Sequence, residues 1–320
     1  MKSLILAFCC ALAAINVNAQ PEWCAIMTQS TNGQAYNAFN TLKELENFIL
    51  EQAKKNNVIS EVVYGDSKWY GVATYSSVST KIAWNWDPKF PSEWVSGKWK
   101  EGKYITKITY GDGQWFVAMT DQTPYVNQSW AKRSSWADVE KYIKEKWNEN
   151  TKYNITDIAY GDGLWYVVMS ELKVYEKQSF KESEDFPHDW IDTKYDEGYN
   201  ITSIEHDGEK WYLVVSMQTA NNNETIFNPQ RDFPATKIKD KWDSGKRISS
   251  LVYAKDPLDW DDDPAPSYTP SNRQKAADKL AEKNYPEAIR YYKAATAEGN
   301  AEEVLWNNLA WAKFLNGNCS

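Results

Sequence analysis

The sequence predicts an α+β protein: a closed ring of five repeated units, each with three strands and one helix, followed by a small all-α tail. Three observations lead there. The stretch ITDIAYGDGLWYVVMS at 155–170 recurs as ITKITYGDGQWFVAMT at 105–120, as ITSIEHDGEKWYLVVS at 201–216 and, more loosely, as ISEVVYGDSKWYGVAT at 59–74. The tryptophans that open the apolar runs, Trp23, Trp69, Trp115, Trp165 and Trp211, are spaced by 46, 46, 50 and 46 residues, a period that builds stacked or circular repeats. Finally, the run at Trp23 lacks a preceding hairpin partner and RISSLVY at 247–253 lacks a following one. Pairing these two would close the ring by strand exchange, in the manner of a β-propeller.

Each element of the unit has its own signal. The segments VISEVVY, YITKITY, NITDIAY, NITSIEH and RISSLVY are rich in β-branched residues and read as strands. Gly-Asp-Gly or a near equivalent follows most of them, and so short a connection between two strands needs positive φ, which Gly and Asp adopt at low cost. A phosphate cradle would need a helix directly after the glycines, and here a strand follows. Asp66, Asp112, Asp162 and Asp207 recur with these turns and are therefore turn formers. WYVVMS and its copies are apolar on both faces, the pattern of a strand whose sheet is covered on both sides, with a helix on one and the neighbouring unit on the other.

A shorter aromatic-containing run comes next in each unit: QAYNAF, KIAWNW, YVNQSW, YEKQSF and TIFN. The helical segments are TLKELENFILEQA (41–53), FPSEWVSGKW (90–99), SWADVEKYIKEKW (135–147), FPHDWIDTKY (186–195) and FPATKIKDKW (233–242). In the fourth of these, Phe186, Trp190, Ile191 and Tyr195 fall on one helical face, and Pro187 suits a helix start.

The chain divides into four segments. Residues 1–19, with Lys2 before an apolar run and Val17-Asn18-Ala19 at its end, read as a cleavable export signal, so the mature chain is expected to be secreted or periplasmic. No later run approaches the length of a membrane span. Residues 20–256 form the ring, 257–272 an acidic, proline-containing linker, and 273–320 the helical tail. The formal net charge of −8 and the absence of a basic run argue against nucleic acid as a partner. Beyond the leader only Cys24 and Cys319 remain, too few for a disulfide framework, so stability must come from the core.

In the tail, NYPEAIRYYKAATAEGNAEEVLWNNLAWAKFLNGN resembles a tetratricopeptide repeat and the start of another, through Tyr285, Ala288, Tyr292 and Ala295 on one helix and Trp306, Leu309 and Ala310 on the next. The ring resembles a repeat family of unknown function, found in bacterial proteins and C-terminal to the kinase domain of plant casein-kinase-like kinases. That family's units carry W-x-V-V-M-S, Q-S-aromatic and GY-x-ITS motifs, here WYVVMS, NQSW with KQSF, and GYNITS at 198–203. The resemblance implies a non-catalytic module and supplies no catalytic residues.

The residues themselves offer little chemistry. His188 opens a helix and His206 stands where other units have Tyr, so both read as structural; no serine elbow, phosphate loop or zinc motif is present, and no cofactor or metal is implied. A guanidine-modifying ring enzyme would need a Cys nucleophile at a central opening, whereas Cys24 lies inside a strand. The chain is therefore expected not to be an enzyme but an interaction module binding a protein or peptide, with Arg273, Asn308 and Lys313 nearest the groove of the tail. The alternative is a multivalent glycan-binding protein. The repeated Trp residues read as core, which leaves Tyr75, Tyr125 and Tyr175, outside the repeat pattern, as its contact residues.

Overall fold

The computed structural model describes residues 22–149, 153–172, 174–218, 223–254, 279 and 284–297. The chain separates into two compact units, one ending at Asp263 and the other beginning at Pro264. In the first unit the elements follow in the order β1 (Glu22–Gln29), β2 (Gln34–Phe39), α1 (Leu42–Ala53), β3 (Asn57–Gly65), β4 (Lys68–Tyr75), β5 (Ile82–Asp87), α2 (Ser92–Lys100), β6 (Tyr104–Gly111) and β7 (Gln114–Thr120). They continue with β8 (Asn127–Arg133), α3 (Trp136–Trp147), β9 (Tyr153–Gly161), β10 (Leu164–Glu171), β11 (Tyr175–Ser183), α4 (His188–Asp196), β12 (Tyr199–His206), β13 (Trp211–Gln218), β14 (Thr225–Gln230), α5 (Ala235–Asp243) and β15 (Lys246–Ala254).

These strands form five antiparallel three-stranded sheets, ordered β2-β4-β3, β5-β7-β6, β8-β10-β9, β11-β13-β12 and β14-β1-β15. The Trp-bearing strand is central every time. The short aromatic strand therefore pairs not with the Trp strand it follows but with the one after the intervening helix, as Gln34↔Thr74 and Phe39↔Trp69 illustrate. The folding unit is strand, helix, strand, strand, offset by one strand from the period counted along the sequence. In the fifth sheet β1 lies between β14 and β15, with Cys24 opposite Val252 and Ile26 opposite Ile226.

The central strands are buried on both faces, as expected. Trp69 and Ala73 of β4 pack on Leu45 and Ile49 of α1, and Phe116 and Ala118 from the back of the next sheet complete that cluster. Tyr166 and Val168 complete the cluster of the second sheet, Tyr212 and Val214 that of the third, and Cys24 and Ile26 that of the fourth. Tyr70 and Val72 complete the cluster of the fifth, so the succession returns to the first sheet. The third strands adjoin in the same cyclic order: β3 with β6, β6 with β9, β9 with β12, β12 with β15 and β15 with β3. The five repeated tryptophans are at most 5% exposed, and burying a side chain of that size contributes roughly 3 kcal/mol or more each.

The hairpin turns divide their labour differently from the sequence reading. Positive φ is carried by Asp66 with Ser67, Asp112 with Gly113 and Asp162 with Gly163, as a type I′ turn requires. The preceding Gly65, Gly111 and Gly161 have another cause. A Cβ on Gly111 would lie 2.0 Å from Cβ of Tyr64, and one on Gly161 would lie 2.2 Å from Cβ of Tyr110, so each glycine is the floor on which the tyrosine of the preceding sheet rests. In the fourth unit Gly208 carries the positive φ and Asp207 holds the turn with its side chain, accepting from the amides of Glu209 (2.9 Å) and Lys210 (2.8 Å) and from the Tyr212 hydroxyl (2.7 Å).

Helix starts follow two recipes. Thr41 and Ser135 cap α1 and α3 through hydroxyls that accept from Glu44 N and Asp138 N. Before the other three helices, Pro91, Pro187 and Pro234 occupy the N-cap with φ near −80° and ψ between 44° and 63°. The residue after each proline donates to the carbonyl of the phenylalanine before it (2.8–2.9 Å), an inverse γ-turn that fixes the entry of the helix.

In the second unit, α6 (Tyr285–Ala297) spans the segment expected to be helical from Tyr285 to Ala295, with Ala288 buried. Arg273, Asn308 and Lys313 lie outside the described residues, as do the segments expected to be leader and linker.

Candidate functional site

The strongest local irregularity recurs in every third strand. The register against the central strand shifts between Ile59 and Glu61, Ile105 and Lys107, Ile155 and Asp157, and Ile201 and Ser203, and opposite Ile26 and Met27 in the fifth sheet. Each is a bulge of one residue. The bulged Ser60, Thr106, Thr156, Thr202 and Ser249 turn their hydroxyls back to a carbonyl of the central strand at 3.1–3.4 Å. The next residues, Glu61, Lys107, Asp157, Ser203 and Ser250, are equivalent to one another and sit on the strands that adjoin cyclically. All but Lys107 are at most 6% exposed.

Three of these positions carry charge. Lys107 Nζ lies 2.8 Å from Glu61 Oε1 and 3.3 Å from Asp157 Oδ1. The other oxygen of Asp157 accepts from the Ile108 amide at 2.6 Å, and Glu61 Oε1 also accepts from Val62 N at 3.1 Å. Glu205, two residues beyond Ser203, feels the charge of Lys107 but forms no ion pair among the described residues; its Oε1 accepts from His206 N at 3.1 Å. Burial pushes the carboxyls of Glu61 and Asp157 up, and the attraction of Lys107 only partly offsets it. Burial works against the charge of Lys107, but Asp157 and Glu61 outweigh it and hold the ammonium protonated. Glu205 is pushed up to about 8 by burial, so near neutral pH it carries a proton.

Of the three tyrosines proposed for ligand contact, the structure brings two together. Tyr125 packs edge-on to Tyr104 (6.1 Å between centroids), and its phenol lies beside Thr156, Asp157 and Tyr175, where burial pushes its pKa up. Tyr175, at the start of β11, is shifted in the same direction by burial. Tyr75 is exposed at the end of β4, its amide bonded to Gly33 O (2.7 Å). Val78, Val126 and Val174 are exposed in the connections β4–β5, β7–β8 and β10–β11.

The sequence reading missed the charged cluster. Its signal was one repeat position holding Glu, Lys and Asp in consecutive units, but ion pairing between them depends on the bulge that aligns the strands. It saw Q-S-aromatic as a motif without its purpose. Gln128 Oε1 accepts from Ile105 N (2.7 Å) while its Nε2 donates to Ile105 O (2.8 Å) and Ser170 Oγ (3.0 Å), tying one sheet to the previous one. Gln178 does the same to Ile155 and Ser216, and Gln34 to Ile248 and Thr74.

His206 stacks edge-on to Trp211 (4.7 Å) as Tyr64, Tyr110 and Tyr160 stack on their own tryptophans, and its Nδ1 accepts from Gly208 N, so burial lowers its pKa to about 4. Cys24 is a buried free thiol pushed up by burial, the opposite of an activated nucleophile. Among the described residues no group of three His, Cys, Asp or Glu side chains is arranged to hold a metal ion, and no helix is long and apolar enough to cross a membrane.

No curated protein matches this chain. A family described as Domain of unknown function (DUF7477) matches residues 128–259, from Gln128 in β8 past the end of β15, a stretch that contains KQSF, WYVVMS and GYNITS.

Proposed function

We propose that the protein is an exported, non-catalytic interaction module: a closed, propeller-like ring of five units joined to tetratricopeptide-like helices, binding a protein or peptide partner. One observation carries the reading. Of the five exposed large apolar side chains among the described residues, Tyr75, Val78, Val126 and Val174 stand at connections leading from a central strand to the next sheet. Because the central strands are equivalent, these connections leave the sheets on one side, the side of Tyr125 and Tyr175. Single exposed apolar residues are ordinary, but their concentration in one set of loops is the mark of a recognition surface. The repeated polar residues support a scaffold role for the rest, since Asp serves the turns and Gln the joints.

The test is capture of the partner from the source organism, comparing the full chain with the double variant Val126→Asp, Val174→Asp and with a chain ending at Pro264. Loss of capture with unchanged unfolding temperature in the double variant supports recognition by the loops. Loss only on truncation moves recognition to the tail, where Arg273, Asn308 and Lys313 are the first residues to change. A hydrolase or transferase activity that tracks with the ring overturns the module reading.

The second reading, a glycan-binding protein, is favoured by a shallow recess where Tyr36 and Trp242 stand 5.4 Å apart beside Thr236, Lys239 and Asp243, an aromatic face with polar neighbours. Retention on a glycan array that falls with Asp243→Ala selects it.

A further inference from the structure

The joint between the fourth and fifth sheets departs at one atom from three of the other joints. In three joints a glutamine holds an isoleucine of the previous sheet by both its N–H and its C=O: Gln34 on Ile248, Gln128 on Ile105 and Gln178 on Ile155. Glu224 takes this place in the fourth-to-fifth joint. Its Oε2 accepts from Ile201 N at 2.8 Å, across the same 23-residue separation as Gln128 to Ile105 and Gln178 to Ile155. The glutamine Nε2 of those three joints is here an oxygen, Oε1, which is buried without a partner among the described residues. A carboxylate has no proton to give Ile201 O; a carboxylic acid has one. We propose that this joint is a proton-operated seam, in which Glu224 completes the clamp only when its carboxyl group is protonated.

The surroundings favour that exchange. The Tyr195 hydroxyl of α4 adjoins Glu224, yet it too is buried without a partner in hydrogen-bond geometry, whereas the equivalent Trp99 donates to Gln128 Oε1 at 3.1 Å. Asp192 and Cys24 act on Tyr195 and bring no positive charge. Lys246 of β15 is the cation that acts on Glu224, but it donates to Asn223 O (2.7 Å) and to the Thr225 hydroxyl. Burial therefore dominates and pushes Glu224 up to about 7, with Ile201 N, Tyr195 and Lys246 offsetting only part of it. A carboxyl raised by folding contributes stability that is complete below the unfolded carboxyl range, near 4.3, and is lost as pH rises through about 7. The seam is thus closed in acid and weakened in base. The seam adjoins β1, the strand on which the cyclic order depends, so weakening it exposes the site where the first and last strands meet.

Unfolding of the full chain between pH 5 and pH 9 tests this, comparing wild type with Glu224→Gln. At pH 8 to 9 the glutamine variant should melt about 2–4 °C higher, the gap closing by pH 5, because an amide keeps its donor at every pH. Glu205 also titrates in this range in both proteins, so the difference between the two curves isolates Glu224. The converse variant, Gln178→Glu, should transfer the same loss in base to the third-to-fourth joint, seen as faster amide exchange at Ile155. An unchanged or lower melting temperature for Glu224→Gln at pH 8 to 9, or a Gln178→Glu protein whose Ile155 exchange is independent of pH beyond the intrinsic rate, overturns the proposal.

Discussion

Gly111 is a residue whose identity is decided by a neighbour rather than by its own backbone. Tyr64 occupies the space a side chain would need, so Gly111→Ala should cost about 1–3 kcal/mol in chemical denaturation, comparable to overpacking a core. A cost near zero would mean that the tyrosine has room to move. Lys107 is decided by charge. Replacing it with Met leaves Glu61, Asp157 and Glu205 without their shared cation, which should cost about 3–5 kcal/mol at pH 8. The loss should shrink towards pH 5, because all three carboxyls are already raised by burial and such groups favour the folded state as they take up protons. A variant equally destabilised at pH 5 and pH 8 would separate the loss from charge. At this scale the sequence was readable where one residue does a local job, as Asp112 and Asp162 do in their turns. It was unreadable where the job needs a second strand: Glu61, Lys107 and Asp157 stand 46 and 50 residues apart and meet only after folding.

Among the elements, the strands and helices themselves were legible, because period, β-branched runs and Phe-Pro starts are local signals. The pairing of β2 with β4 was not. A hairpin is announced by its turn, whereas β2 reaches β4 across α1 and β3, and nothing local to QAYNAF says which Trp strand it joins. The glutamine that opens β2 and recurs in β8 and β11 settles this in the structure by bonding a strand of the sheet before. Gln128→Ala should therefore cost about 1–3 kcal/mol, the penalty for leaving the Ile105 amide buried without an acceptor, and should speed exchange of that amide selectively. Ile82 occupies the corresponding place in β5, opposite Thr120 as Gln34 is opposite Thr74, so one joint lacks a glutamine altogether. The same change at Ile82 should leave the Ile59 amide unaffected, which distinguishes a specific clamp from general loosening.

For the molecule as a whole, the five clusters and the cyclic order of the third strands make each sheet depend on two neighbours, and β1 makes the first and last strands one element. The sequence anticipated the pairing of Trp23's strand with RISSLVY because each lacked a local partner. It did not anticipate that β14 would hold the other edge of β1, since TIFN is the least regular copy of its motif. With both edges bonded and both faces buried, β1 should not open alone. Native-state hydrogen exchange in increasing low denaturant reads this directly, through amides 23–28 of β1 compared with those of β4, β7, β10 and β13. A closed ring predicts that all five central strands exchange through one shared opening with the free energy of global unfolding. Release of β1 in a separate step of lower free energy, while the other four central strands stay protected, would contradict it.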